Sequence, residues 1–298
     1  MNPLDTPSQV ERFSERYLTH VKGELAGEPL EFADWQRKIL RRIFNDVDEN
    51  GRRRVRTFYL SVPRKAGKST LAAAVALYML LSDAEPGAEI YSAAVAAKQA
   101  RLVFDIAKGM VRANPILRSR VTIHKDSLTY KDRSYKPFSN DPDSSHGLNP
   151  SCLLIDELHV FRSQLDREYF EALTSAQGAR VQPLTLITTT AGYDSLSLCG
   201  EVDQYARKVE SGVIEDPTFA SFISRADESD NWQDPATWHK ANPNLGVSVY
   251  EDYYREKAAR ARLRRESAGA IRTLRADKLS PFPPGRVTIR YGRHHETR

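Results

Sequence analysis

Residues 56–81, RTFYLSVPRKAGKSTLAAAVALYMLL, set a β-branched and aromatic run, a short polar turn and a continuous apolar helix in direct succession. A short apolar strand followed by a helix apolar all round reads as an inner strand and crossover helix of a sheet covered on both faces. The turn between them ends in Gly67, Lys68 and Ser69, the last three places of the phosphate-loop pattern G-x-x-x-x-G-K-[ST]. Val62 stands at the first glycine place, followed by Pro63, Arg64, Lys65 and Ala66. A helix start offers free N–H groups and the positive end of a dipole, both suited to phosphate. In this pattern the segment Pro63–Thr70 wraps the phosphates and Gly67 allows close backbone approach. Lys68 reaches the terminal phosphates, Ser69 holds Mg²⁺, and Arg64 and Lys65 add positive charge. A tight turn that caps a helix and happens to carry a lysine would show the same tripeptide, so the reading needs companions.

Two companions follow in chain order. CLLIDE, residues 152–157, is a continuous apolar run ending in two acids. Asp156 is placed to hold Mg²⁺ through water and Glu157 to activate the attacking water, which together make an ATP-hydrolysing site. LTLITTTAG, residues 184–192, is a third buried strand; Thr189 and Thr190 at its end could set hydroxyls near a γ-phosphate and couple its release to movement. Threonines chosen for β propensity would look alike.

Around these, strands expected at 56–62, 88–94, 151–157 and 184–192 alternate with helices at 68–81 and 96–113 and a helix closed by Gly178. A hairpin is expected over 121–138, with Lys131-Asp132 near its turn. The fold class is α/β: a P-loop NTPase of the RecA/ASCE type, its mostly parallel sheet covered by helices on both faces, with a small helical lid following. Residues 8–24 read as an exposed amphipathic helix, and 32–44 as another. After about residue 195 the strands are expected to stop. The domains are thus 1–195, an ATPase core with an N-terminal helical segment at 1–54; 196–278, a helical lid or linker; and 279–298, a tail. The net charge of +5 fits a polyanionic partner without proving one. Two cysteines, Cys152 and Cys199, make no disulfide framework, and a buried reduced thiol is expected at Cys152. The longest apolar stretch, 70–81, is too short to span a bilayer.

PRKAGKST, LLIDELH and ITTTAG in that order, with HGLNPSC leading into the second, resemble the large terminase subunit of tailed bacteriophages, the DNA-packaging motor. The resemblance runs from about residue 28 to residue 275. It makes the missing first glycine a family variant that includes Arg64. It implies an adenine-recognition role for Trp35 and Gln36, a γ-phosphate or neighbour sensor at Arg180, and a lid that includes ANPNLG at 241–246; without the resemblance Trp35 reads as plain core and Arg180 equally as a solvated surface arginine. It implies ATP and Mg²⁺, double-stranded DNA bound without sequence preference, a homo-oligomeric ring, portal and small-terminase partners, and a place in the host cytoplasm with no membrane. The basic stretch 255–275 is a candidate DNA contact, with a solvated lid face as the alternative. His146 stands where some packaging ATPases carry a trans-acting arginine, so Arg101, Arg118 and Arg133 become candidates for that part. The segment 279–298 does not resemble the start of the nuclease domain that full-length family members carry, and no nuclease activity is expected of it. A helicase-like DNA-dependent ATPase, or a decayed fragment that only binds nucleotide, are the competing readings.

Overall fold

A computed structural model describes residues 3–83, 85–139, 147–190, 195–227 and 229–268, with side chains described up to Ala261. The tail reading at 279–298, His146, and the last two residues of ITTTAG lie outside the described residues.

An eight-stranded sheet organises the chain in the order β3-β4-β5-β2-β6-β7-β1-β8. β1 (Thr57–Ser61), β2 (Glu89–Ala94), β6 (Cys152–Asp156) and β7 (Leu184–Thr189) form the interior. Their burial is almost continuous, because helices cover both faces and no side chain has a solvent side to alternate toward. All pairings from β5 (Arg133–Ser139) across to β8 (Phe219–Ile223) are parallel. The other edge is an antiparallel meander of β3 (Thr122–Ile123), β4 (Leu128–Tyr130) and β5. The expected turn joins β4 to β5, and Lys131 takes the left-handed conformation (φ 55°) that a two-residue hairpin loop demands.

The alanine-rich α3 (Lys68–Leu81) is buried from Leu71 to Leu80, as its lack of a polar face requires. It packs beside α4 (Ala97–Ala113), which continues through the Asn114-capped α5 (Pro115–Arg120) to the meander. α6 (Gln164–Ser175) and α7 (Leu198–Glu210) contribute Tyr169, Leu173 and Cys199 to the apolar cluster on the opposite face.

Two expectations need correction. Strands do not stop near residue 195: β8 pairs along the whole of β1, from Thr57↔Phe219 to Ser61↔Ile223, and extends the sheet past the anticipated core boundary. The segment 8–24 is not one exposed helix. α1 (Gln9–Tyr17) ends early, buries Val10 and Phe13, and sets Phe13 edge-on to Tyr78 of α3 at 5.9 Å. A capping box at Ser8 and Glu11 starts it, and Arg41 of α2 (Asp34–Phe44) donates to the buried Glu11 carboxylate. Beyond β8 lie α8 (Pro235–Ala241) and α9 (Glu251–Ala268), held by a separate small cluster of Trp232, Trp238, Leu245, Val249 and Tyr254.

Candidate nucleotide-hydrolysis site

Parallel strands deliver their C-terminal ends to one rim of the sheet, and the loops leaving them meet there. β7 lies between β1 and β6, so the threonine strand separates the phosphate-loop strand from the acidic one. The register places Thr189 beside Ser61 and Thr188 beside Asp156. The three motifs, far apart in sequence, thereby converge on one rim.

The loop from Val62 to Gly67 is shaped by two left-handed residues, Lys65 (φ 66°) and Gly67 (φ 79°). Gly67 is the N-cap of α3 and provides no side-chain cap, so the first-turn N–H groups stay open toward the loop. A Cβ at Gly67 would also sit 3.1 Å from the Gln36 amide nitrogen. Lys68 is almost fully buried, and its ammonium donates to the carbonyls of Val62 and Pro63, each at 3.0 Å. Burial pulls its pKa down, against the opposing pull of Glu157 and Asp156. These carbonyls hold the lysine on its own loop, within the site.

Asp156 is 3% exposed and deeply desolvated, which pushes its pKa up. Thr188 Oγ1 donates to one carboxylate oxygen at 2.6 Å and Gln99 Nε2 to the other at 3.3 Å. A buried carboxylate oriented by two neutral donors has the chemistry to hold a divalent cation. No group of three or more His, Cys, Asp and Glu able to hold a metal exists among the described residues.

Glu157 follows in the left-handed region (φ 57°, ψ 50°), which costs a non-glycine residue about 1–2 kcal/mol. Burial raises its pKa, but His159, Lys68 and Arg64 outweigh that and hold it below the usual glutamate value, ionised as a base must be. Its Oε2 lies 3.0 Å from His159 Nδ1 yet is buried without an aligned hydrogen-bond donor. The two groups are close and poorly aligned. Thr189 Oγ1 accepts the His159 backbone N–H at 3.1 Å and lies 3.2 Å from Nδ1, and Thr190 Oγ1 lies 3.4 Å from the same nitrogen. Thr189 and Thr190 therefore connect to Glu157 through His159.

The remaining candidates separate. Gln36 borders a cavity of about 390 Å³ that also touches Lys65, Gly67, Thr70, Leu71, Phe32 and Tyr250. Its Oε1 accepts the Ala33 N–H at 3.0 Å, which leaves the amide NH₂ for whatever enters. Trp35 does not border that cavity. It stacks on Phe222 of β8 at 5.4 Å and donates to Asn244 Oδ1 at 3.0 Å, so its role here is packing against ANPNLG. The same segment reaches the phosphate loop, where Ser248 donates to the Lys65 carbonyl.

Arg180 is a correction. Its guanidinium donates to the carbonyls of Asn149, Pro86 and Gly87 and lies near Glu85 and Glu89. All of these precede or begin β2 and β6, at the rim opposite the phosphate loop, so Arg180 cannot touch a γ-phosphate there. Arg133 is pinned to the carbonyls of Asp83 and Leu80 on that same rim, and Arg101 pairs with Asp126. Arg118 is exposed on α5. On α9, Arg255 pairs with Glu251 and Arg260 with Glu256, which matches a solvated face over the described part of the 255–275 stretch.

Four neighbours escaped the sequence reading: Thr188, Gln99, His159 and Asn244. Strand alternation could have flagged Thr188, since only every second threonine of ITTT shares a face. His159 sits in the quoted LLIDELH; nothing in its spacing announces that the chain turns it back on Glu157.

Comparison with known proteins gives a concordant picture. The family model described as terminase large subunit, ATPase domain, matches residues 34–208. The large terminase subunit of Enterobacteria phage HK97 is 28% identical over 280 residues, covering 91% of this chain and 53% of that protein. Protein YmfN of Escherichia coli K12 is 35% identical over 127 residues, 43% of this chain and 27% of that protein. The crystal structure of the HK97 large terminase superposes with a TM-score of 0.74 at 26% identity, over 86% of this chain and 51% of that one. The chain thus spans about half the length of the HK97 protein. Among the described residues no helix is long and apolar enough to cross a membrane. With a family match over more than half of its length, and with that family's ATPase fold, the chain belongs to the terminase large subunit ATPase-domain family.

Proposed function

We propose that this chain hydrolyses ATP to drive double-stranded DNA into a phage procapsid, as the motor portion of a large terminase. The observation that carries the reading is the convergence of Lys68, Asp156 and Glu157 on one rim, with Thr188 and Thr189 between the strands that bear them. Lys68, leaving the Val62 and Pro63 carbonyls, stabilises charge on the terminal phosphates together with the open N–H groups of α3 and the nearby Arg64. Ser69 and Asp156 hold Mg²⁺, with Thr188 and Gln99 fixing the aspartate; the ion neutralises phosphate charge when bound. Glu157 takes a proton from the attacking water. Gln36 and the apolar walls of the cavity take the base, and Thr189 and Thr190 report the state of the site to β7. On this reading the motor works in the host cytoplasm, as a ring on a portal, with a small-terminase partner delivering DNA.

DNA contact is expected mainly through backbone phosphate and therefore to be salt-sensitive and indifferent to sequence. The test is steady-state ATPase of the purified chain with and without linear duplexes of unrelated sequence. Stimulation by every duplex, weakening as salt rises, is the expected result. Equal rates with and without DNA at low salt would contradict the motor reading while leaving ATP hydrolysis standing.

A further inference from the structure

His159 lies within reach of both Glu157 and the end of β7. Its ring nitrogen Nδ1 faces three oxygens: Glu157 Oε2 at 3.0 Å, Thr189 Oγ1 at 3.2 Å and Thr190 Oγ1 at 3.4 Å. One nitrogen carries at most one proton. The proton of Thr189 is already given to the Thr190 carbonyl at 2.9 Å, so Thr189 meets Nδ1 as an acceptor. A proton on Nδ1 has Thr189 Oγ1, Thr190 Oγ1 and the Glu157 carboxylate as competing acceptors. Here the aligned partners are the Thr189 and Thr190 hydroxyls, and Glu157 Oε2 is left close, buried and without an aligned donor.

We propose that His159 is a positioning residue with two settings: Nδ1–H bonded to Thr189, as here, or turned onto Glu157 to steer its carboxylate toward the attacking water. The ring is anchored for this. Its own backbone N–H is held by Thr189, and the 3₁₀ turn from Leu158 to Val160 follows directly from the left-handed Glu157. A shift at the end of β7 then changes which oxygen receives the proton. Movement of that strand and readiness of the base become one event without His159 touching nucleotide. The inference rests on Glu157 being the base.

The test measures kcat, KM for ATP and binding of a fluorescent ATP analogue for the parent chain, His159→Ala, His159→Asn, Thr189→Val, the His159→Ala/Thr189→Val pair and Glu157→Gln. The parent and Glu157→Gln calibrate the base: inactivity of Glu157→Gln with intact analogue binding secures it. If instead Glu157→Gln turns over normally, the base assignment fails and takes this proposal with it. With the base secured, His159→Ala is expected to lose roughly tenfold or more in kcat with little change in KM or analogue binding. His159→Asn, which keeps an N–H near the place of Nδ1, recovers most of the loss. The double variant is no worse than the poorer single one, because both changes cut the same link. Wild-type turnover in His159→Ala, failure of Asn to rescue a protein that still binds the analogue, or fully additive losses in the pair would each overturn the proposal.

Discussion

The two rims of the sheet both bury charge, and they do it in opposite ways. At the N-terminal rim three arginines are tied down by carbonyls: Arg53 donates to Gln182 O at 2.6 Å and pairs with Asp83, Arg133 donates to Asp83 O at 2.7 Å, and Arg180 holds Asn149, Pro86 and Gly87. Arg133 there also meets the C-terminal end of α3, where the helix dipole favours a cation. At the C-terminal rim the charges are held loosely. Lys68 occupies carbonyls of its own loop, Asp156 has only neutral donors, and Glu157 sits on strained backbone with an oxygen left over. One rim is a network of arginines and carbonyls that fastens strand starts together, with Arg53 Nε, Arg133 Nε, Asp83 Oδ2 and Asn149 Oδ1 buried in it without a hydrogen-bond partner. On the proposed function, the other, open rim is a set of groups that a phosphate and its cation would complete.

The largest expected effect breaks the open rim. Lys68→Ala removes the ammonium that the proposed function assigns to the terminal phosphates. ATP binding should weaken by about tenfold or more and turnover fall to background, with thermal stability unchanged or higher, since a desolvated cation is lost. Titration with a fluorescent ATP analogue beside a melting curve reads both. Arg180→Ala breaks the N-terminal rim instead. It strips donors from three carbonyls and leaves the buried Glu85 without its cation, at a cost of about 3 kcal/mol seen as a lowered unfolding midpoint in urea. The protein that stays folded should keep the parent KM for ATP; a selective loss of γ-phosphate recognition would restore the sensor role. The smallest change sharpens the comparison within the open rim. Thr188→Val deletes the hydroxyl that orients Asp156 and should raise the Mg²⁺ concentration needed for half-maximal turnover by about tenfold. An unchanged Mg²⁺ requirement would show that the register between β6 and β7 does not matter to the metal.

Most of the open rim was legible because its residues come as contiguous motifs whose chemistry needs them together. PRKAGKST sits between an apolar strand and an apolar helix, and DE ends another apolar strand; parallel packing then forces both ends to one rim. What the sequence hid depends on contacts between distant segments. FASFI is short and follows a stretch of helices and turns, so only its pairing along β1 identifies it as β8. Trp35 and Gln36 are adjacent in sequence, yet α2 turns one against Phe222 and the other toward the cavity. Arg180 was readable in principle: it precedes β7, and a residue that precedes a parallel strand lies on the rim away from bound ligand. His159 needed the fold itself, because the left-handed turn at Glu157 is what brings the imidazole back beside the carboxylate.

The measurement that bears most directly on the open rim as a hydrolysis site is the split between ATP binding and single-turnover hydrolysis in Glu157→Gln. The account predicts binding within a few-fold of the parent, because Lys68 and the α3 N–H groups are untouched, and a cleavage rate lower by about 10²–10⁴-fold. Cleavage at the parent rate in a folded Glu157→Gln protein would contradict it.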